Sequence, residues 1–117
     1  LYAEALNGLN STGDAYQYVD RIRARAGLAP LATVRPGMNQ AQFMEQLEHE
    51  RITELTGESL RWNDLARWGY FDDPAKLAIL KARDPEFNNF QIGRNKYMPI
   101  PQSEIDINPN LVQNPGW

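Results

Sequence analysis

The side chains best suited to chemistry are grouped in the middle of the chain, around Glu50 and Glu54. These two glutamates are one helical turn apart, and a pair of nearby carboxylates is what glycoside hydrolases use for catalysis. Arg61 and Arg67 offer a second interpretation, in which the carboxylates are salt-bridge partners. Carboxylates on one turn of a single helix favour the salt bridges, so we assign no catalytic residue.

The only histidine, His49, lies between two glutamates and invites a metal-binding interpretation. A zinc protease motif needs a second histidine four residues later, where the chain has Thr53. A di-iron helix bundle needs a glutamate three residues before the histidine, where it has Gln46. No calcium-loop spacing is present. We therefore expect His49 to be an exposed helix residue or a packing partner, and we expect no metal and no cofactor.

The composition excludes several other functions. The 117 residues include no cysteine, which excludes disulfides and thiolate chemistry. The net charge is −3 and the 12 lysines and arginines are spread along the chain, which argues against a nucleic-acid partner. Nucleophile motifs and phosphate loops are missing, and no apolar run approaches the roughly 20 residues of a membrane span. The sequence predicts one domain over 1–117 that is not an enzyme.

The helices around the two glutamates carry charges on their apolar faces. Helical periodicity over 43–55 places Arg51 and Glu54 beside the large apolar residues, and over 60–68 it does the same for Arg61. An unpaired buried ion is very costly, so these charges need partners. The expected network is Glu50 or Glu54 facing Arg61 and Arg67, covered by Trp62 and Trp68 as core residues.

The rest of the chain predicts an all-α fold. Residues 1–27 show two amphipathic stripes and predict a tetratricopeptide-like helical hairpin, although a plain hairpin explains the same pattern. Residues 28–39 predict a loop, 39–69 a pair of helices and 75–82 a short helix. Prolines and asparagines predict an irregular tail over 84–117 that wraps back over the helices.

Local signals sharpen these predictions. Asn39 and Gln42 form a capping box, and Asp73 caps the next helix with Pro74 at its first position. The chain opens without a cap, so we expect it to continue a longer protein whose earlier part holds any signal or lipid anchor. The stripes expected to be buried are Leu1, Tyr2, Ala5, Leu6 and Leu9 in the first helix, and Ala15, Tyr16, Val19, Ile22 and Ala26 in the second. In the tail, we expect 96–101 to lie in a groove and Leu111, Val112 and Trp117 to pack.

A polar loop near Phe87, Phe90 and Tyr97 is the candidate ligand site. Amide side chains hydrogen-bond the hydroxyl groups of sugars, and aromatic faces pack on the C–H faces of sugar rings. The competing interpretation is a solvated loop. The candidate carbohydrate-binding residues are Asn88, Asn89, Gln91 and Asn95.

Residues 50–69, ERITELTGESLRWNDLARWG, resemble the E-R-R-x-E-L-x-F-E-G-x-R-W-x-D-L-x-R-W-G signature of the SusD/RagB family. Residues 22–28, IRARAGL, are similar to the family's V-R-x-R-A-G-L helix end. The segments MPIPQSEID, NPN and QNPGW between 98 and 117 are similar to its C-terminal ending. The anchoring positions kept here are Glu50, Glu54, Glu58, Arg61, Trp62, Asp64, Arg67, Trp68 and Gly69.

The departures from the signature are local. Ile52 replaces a usual arginine, Gly57 an aromatic residue and Ser59 a glycine. The loss of the aromatic side chain at 57 puts the packing there in doubt, while Gly57 can supply the flexibility that a glycine at 59 would have given.

The resemblance implies a function that these residues alone do not. Members of the SusD/RagB family are nutrient-binding lipoproteins on the outer face of the outer membrane of Bacteroidota, and they hold oligosaccharides for a TonB-dependent, SusC-like transporter. The resemblance thus implies an oligosaccharide or polysaccharide ligand, a transporter partner and membrane association only through a lipid anchor outside this chain. The alternatives are a tetratricopeptide-type interaction scaffold that binds no sugar, and a glycoside hydrolase that uses Glu50 and Glu54.

Overall fold

The computed structural model describes all residues from Leu1 to Trp117, which form helices joined by turns, with no strand. This confirms the all-α class. None of the helices combines the length and apolar character needed to cross a membrane. The elements are α1 (Tyr2–Gly8), α2 (Thr12–Arg25), α3 (Leu31–Val34), α4 (Gln40–Glu54), α5 (Arg61–Arg67), α6 (Pro74–Arg83), a 3₁₀ helix (Pro85–Asn89) and α7 (Gln102–Ile107).

The chain divides into two compact units, Leu1–Ser59 and Leu60–Trp117. The signature segment is shared between them, because its first glutamates are on α4 in the first unit and its tryptophans are in the second. That 1–117 behaves as one domain stays a prediction.

The first unit is a helical hairpin of α1 and α2 packed against α4. The hairpin over 1–27 is therefore confirmed, and Gly27 follows α2 with a positive φ of 71°, which glycine adopts without strain. The core consists of Ala3, Ala15, Tyr16, Val19, Leu31, Phe43 and Leu47. Tyr16 joins this core to its loop, because its hydroxyl donates to the Arg35 carbonyl at 2.8 Å and accepts from the Met38 amide at 3.0 Å.

The stripe predicted for α1 is wrong except at Leu6, which is half-buried against the core. Leu1, Tyr2 and Leu9 are exposed, whereas Ala3 and Asn7 are buried. Asn7 is buried because its amide donates to the Gln40 carbonyl at 2.9 Å while the Gln40 side chain donates back to the Asn7 carbonyl at 2.7 Å. A buried polar group is tolerated when it is hydrogen-bonded in this way, and hydropathy does not reveal it.

The stripe predicted for α2 is correct only in the first half of the helix. Ala15, Tyr16 and Val19 are buried, but Ile22 and Ala26 are exposed. The loop predicted over 28–39 also contains a helical turn, α3, whose Leu31 is 1% exposed. Leu31 is drawn into the core because its backbone amide donates to the Asp20 carboxylate on α2.

The predicted start of α4 is confirmed. The Asn39 side chain accepts from the Gln42 amide at 2.9 Å, and the Gln42 side chain accepts from the Asn39 amide at 3.1 Å. Such a cap contributes about 1 kcal/mol to helix stability. His49 is exposed on this helix, as expected.

The predicted partners of the central glutamates are wrong. Glu50 accepts from Arg23 at 2.5 Å, with only 13% and 14% of the two side chains exposed, and Glu54 pairs with Arg25. Both arginines belong to the last turn of α2, so the ion pairs join α2 to α4.

Arg61 and Arg67 also differ from the prediction. Arg67 donates to Asp64 on its own helix at 2.9 Å. The Nη1 atom of Arg61 is buried without a hydrogen-bond partner. Arg61 is therefore not paired with Glu50 or Glu54, contrary to the prediction from the sequence.

The second unit is built on α5, α6 and the tail. Asp73 accepts from the Ala75 amide at 2.8 Å and Pro74 opens α6, both as predicted. Trp68 is 8% exposed and belongs to the core, with the Arg67 guanidinium over its ring at 4.7 Å. Trp62 was expected beside it in the core, but it is 40% exposed. The ring nearest to it is that of Phe71, at 4.5 Å between centroids, and the Phe87 and Phe90 rings of the tail lie within 6.5 Å.

The end of the tail folds back onto the tail itself rather than over the helices, and does so by polar contacts more than by apolar ones. Tyr97 is 53% exposed and Met98 78%, so the prediction that 96–101 lies in a groove is wrong. Val112, which was expected to pack, is 83% exposed. Gln113 instead makes two hydrogen bonds with the Ile100 backbone, at 2.8 and 2.9 Å, and Asn114 donates to the Met98 carbonyl. Residues 98–107 also contain α7, which begins at Gln102 without a side-chain cap.

Candidate functional site

An open cavity of about 380 Å³ in the second unit is the best candidate for a ligand site. This volume lies within the roughly 300–1,000 Å³ of small-molecule sites in proteins. We call it the aromatic hollow. It is lined by Trp62, Glu86, Phe87, Asn89, Phe90, Asn95, Met98 and Trp117.

The 3₁₀ helix and Phe90, the residue that follows it, supply half of this lining. Asp84 caps the helix by accepting from the Glu86 amide at 3.0 Å, and Pro85 fixes its first turn. Residues three apart share one face of a 3₁₀ helix, so Glu86 and Asn89 point the same way, and Phe90 follows directly at the end of the helix. A single capped turn therefore presents a carboxylate, an amide and an aromatic ring together.

The base of the hollow is a packed aromatic cluster. The Phe71 ring is fully buried, and its centroid lies 4.5 Å from that of Trp62 and 4.6 Å from that of Phe90. Phe87 lies within 6.5 Å of all three. Contacts of this kind hold the exposed Trp62 in one orientation.

The other wall is Trp117, which the tail holds in place. Its indole Nε1 donates to the carbonyls of Arg94 and Tyr97 at 3.2 and 3.1 Å. The Arg94 guanidinium lies over the indole ring at 4.3 Å, so one face of the ring is covered. Gly116 makes this approach possible, since a Cβ there would lie 2.8 Å from the Cβ of Arg94.

The polar groups of the hollow are available to a ligand. The carboxylate of Glu86 and the amide of Asn89 are exposed and unpaired. The Asn95 oxygen accepts from the Gln91 backbone amide at 2.7 Å, which fixes the side chain and leaves its NH₂ group to donate. The hollow thus combines acceptors, donors and aromatic surface.

The structure divides the predicted carbohydrate-binding residues into two pairs. Asn89 and Asn95 line the hollow. Asn88 and Gln91 do not, and both are exposed. The carbonyl of Asn88 accepts from Lys81 at 3.1 Å, which anchors the 3₁₀ helix to α6.

Four lining residues are not predicted as part of a site by the sequence. Trp62 and Trp117 are assigned to packing, Met98 to a segment expected in a groove, and Glu86 to no role. The Asp84-Pro85 step is a helix-start signal, and recognising it would have placed Glu86 on the same face as Asn89.

One charged pair lies beside this region. Lys96 donates to Asp72 at 2.7 Å, and this hydrogen bond and charge raise the pKa of the Lys96 ammonium. Nowhere in the structure do three or more acidic or histidine side chains gather as a metal-binding group.

A second cavity, of about 280 Å³, lies in the first unit between α1, α2 and α4. We call it the hairpin groove. Its charged residues include Glu50 and Glu54, which are already paired with Arg23 and Arg25. The groove is lined by Leu1, Tyr2, Ala3, Tyr18, Val19, Ile22, Leu47, Glu50, Arg51, Glu54 and Leu55.

Comparison with known proteins agrees with the signature. The SusD family model matches residues 1–117. SusD-like protein P25 of Formosa agariphila is 33% identical over 112 residues, which cover 96% of this chain and 21% of that protein. SusD-like protein P2 of the same organism is 32% identical over 122 residues, or 98% of this chain and 23% of that protein. The chain thus spans about a fifth of the length of these curated relatives. No solved structure shows a significant match. On the match over its whole length, the chain belongs to the SusD family.

Proposed function

We propose that this chain is part of a non-catalytic glycan-binding protein that works in nutrient uptake at the outer membrane, together with a TonB-dependent, SusC-like transporter. Family membership supports the class of function. We place one glycan contact in the aromatic hollow. The protein would reach the membrane through a lipid anchor outside this chain.

The observation that supports a sugar contact is the composition of the hollow. Trp62 and Trp117 are 40% and 44% exposed, although both are large aromatic side chains that are usually well buried. Beside them are the unpaired side chains of Glu86 and Asn89. Flat apolar rings next to hydroxyl-binding groups match the two faces of a sugar ring, which is apolar above and below and polar at its edge.

The hydrolase alternative is not favoured by the positions of Glu50 and Glu54. A glycosidase needs one carboxylic acid with a proton to give and one free carboxylate. Here each carboxylate is bonded to an arginine. We therefore assign them to the structure of the hairpin.

Calorimetric titration of the protein with a panel of polysaccharides tests the proposal. We expect at least one glycan to bind, and Asn89→Ala to weaken it about tenfold, or ~1.4 kcal/mol. Asn88→Ala is the matched control, since it removes the same side chain one position outside the hollow. If the two variants lost the same affinity, the glycan would bind outside the hollow.

The transporter partnership needs a separate measurement. We expect a SusC-like transporter to co-purify with the protein from its native membrane. Stable co-purification together with no binding to any polysaccharide would favour the scaffold alternative and overturn the glycan proposal.

A further inference from the structure

We propose that the aromatic hollow selects uncharged sugar units and discriminates against acidic ones such as uronates. This inference rests on the proposed function and concerns the same site. The inference rests on two observations. The hollow is lined by one acidic side chain, and the two nearby basic side chains contact other residues.

The lining contains one charged residue, Glu86. Its carboxylate is exposed and unpaired, so its negative charge is presented to a ligand without a compensating partner. The other polar lining residues, Asn89 and Asn95, are neutral. Sites for carboxylates and sulfates in proteins normally offer arginine or lysine, whose N–H groups pair with the anion. The lining offers neither.

The two cations next to Asn95 in the chain are directed elsewhere. Arg94 lies over the Trp117 ring at 4.3 Å, and its Nε atom is buried. Lys96 is paired with Asp72 at 2.7 Å. Neither side chain lines the hollow, so an acidic sugar in it meets Glu86 without a direct cationic contact.

Like charges a few ångströms apart repel strongly enough near a protein surface to decide between ligands of equal shape. An uncharged sugar experiences no such repulsion, and its hydroxyls can donate to the Glu86 carboxylate. The same residue that binds a neutral ring therefore opposes an acidic one.

The test uses pairs of oligosaccharides with the same linkage and length, one neutral and one a uronate: glucan with glucuronan, mannan with mannuronan, and galactan with galacturonan. Calorimetry at low salt is expected to show the neutral member of a binding pair held about tenfold more tightly. Glu86→Gln should reduce this ratio to near one, and high salt should reduce it in the wild type.

Glu104→Gln is the matched control, because it removes the same charge from an exposed position outside the hollow. It should leave the ratio as in the wild type. A uronate that binds as tightly as its neutral partner, or a ratio that Glu86→Gln does not change, overturns the selectivity while leaving glycan binding intact. If no member of any pair binds, both the selectivity and the proposed glycan-binding function are wrong.

Discussion

The hairpin groove and the aromatic hollow contain similar residue types but use them differently. In the groove, Glu50 and Glu54 are paired with arginines of the neighbouring helix. In the hollow, Glu86 and Asn89 are unpaired and stand beside exposed tryptophans. Charges that pair within the fold stabilise it and have little left for a ligand, whereas unpaired groups on a rigid aromatic base can bind one. The two signature glutamates therefore stabilise the packing of α4 on α2.

The two tryptophans of the signature give the largest contrast. Trp68→Ala should lower the free energy of unfolding by about 3–5 kcal/mol, because it leaves a cavity in the core. Trp62→Ala should cost about 1–2 kcal/mol, because its ring is already 40% exposed. Urea denaturation measures both. A loss for Trp62→Ala as large as that for Trp68→Ala would mean that Trp62 is chiefly a core residue.

The ion pairs of the first unit come next. Arg23→Ala should destabilise by about 3 kcal/mol, because the largely buried Glu50 carboxylate loses its cationic partner and keeps only the hydrogen bond from Gln46. Arg25→Ala, whose side chain is 71% exposed, is the matched control and should cost less than about 1 kcal/mol. Equal losses in thermal or urea unfolding would contradict the assignment of Glu50 to a structural pair.

Gly116 tests how the hollow keeps its wall. Gly116→Ala places a Cβ against Arg94 and adds strain at a φ of 83°, so we expect Trp117 to shift and glycan affinity to fall about tenfold. Gly93→Ala carries the same kind of backbone strain in the same unit, at a φ of 82°, but its Cβ meets open space. Calorimetry on the two variants separates the clash from the strain. The prediction fails if both variants bind glycan as the wild type does.

The smallest effect concerns Lys96. Because Asp72 raises the pKa of Lys96, the pair stabilises the fold while the ammonium is protonated. That contribution is complete below the ordinary value of 10.5 and is lost as the pH rises through the raised pKa. The melting temperature of Lys96→Met should therefore be slightly below that of the wild type at neutral pH, and the difference should disappear in strong alkali. If the difference in melting temperature between the variant and the wild type widened in strong alkali, Lys96 and Asp72 would not be a stabilising pair.

Local chemistry was readable from the sequence, and long-range pairing was not. The capping box at Asn39 and the Asp73-Pro74 helix start depend on neighbouring residues, and both are present. The pairing of Arg23 with Glu50 spans 27 residues, and several arginines were equally available in the sequence. The burial of Asn7 depends on Gln40, 33 residues away, which no hydrophobic pattern records.

The site was predicted in part for the same reason. The polar loop identified Asn89 and Asn95, because asparagines beside aromatic residues are visible in the sequence. Trp62 and Trp117 were assigned to packing, since a tryptophan on an apolar helix face or in a tail gives no sign of how much of its ring stays exposed. That fraction depends on how the tail folds back at Gly116 and Gln113.

The most direct test of the contrast between the two cavities is one calorimetric titration with the glycan that the wild type binds best. The double variant Trp62→Ala/Trp117→Ala should lose about a hundredfold in affinity, as two roughly tenfold effects combine. Glu54→Gln, in the hairpin groove, should bind as the wild type does. Retained binding in the double variant, or its loss in Glu54→Gln, would contradict the account.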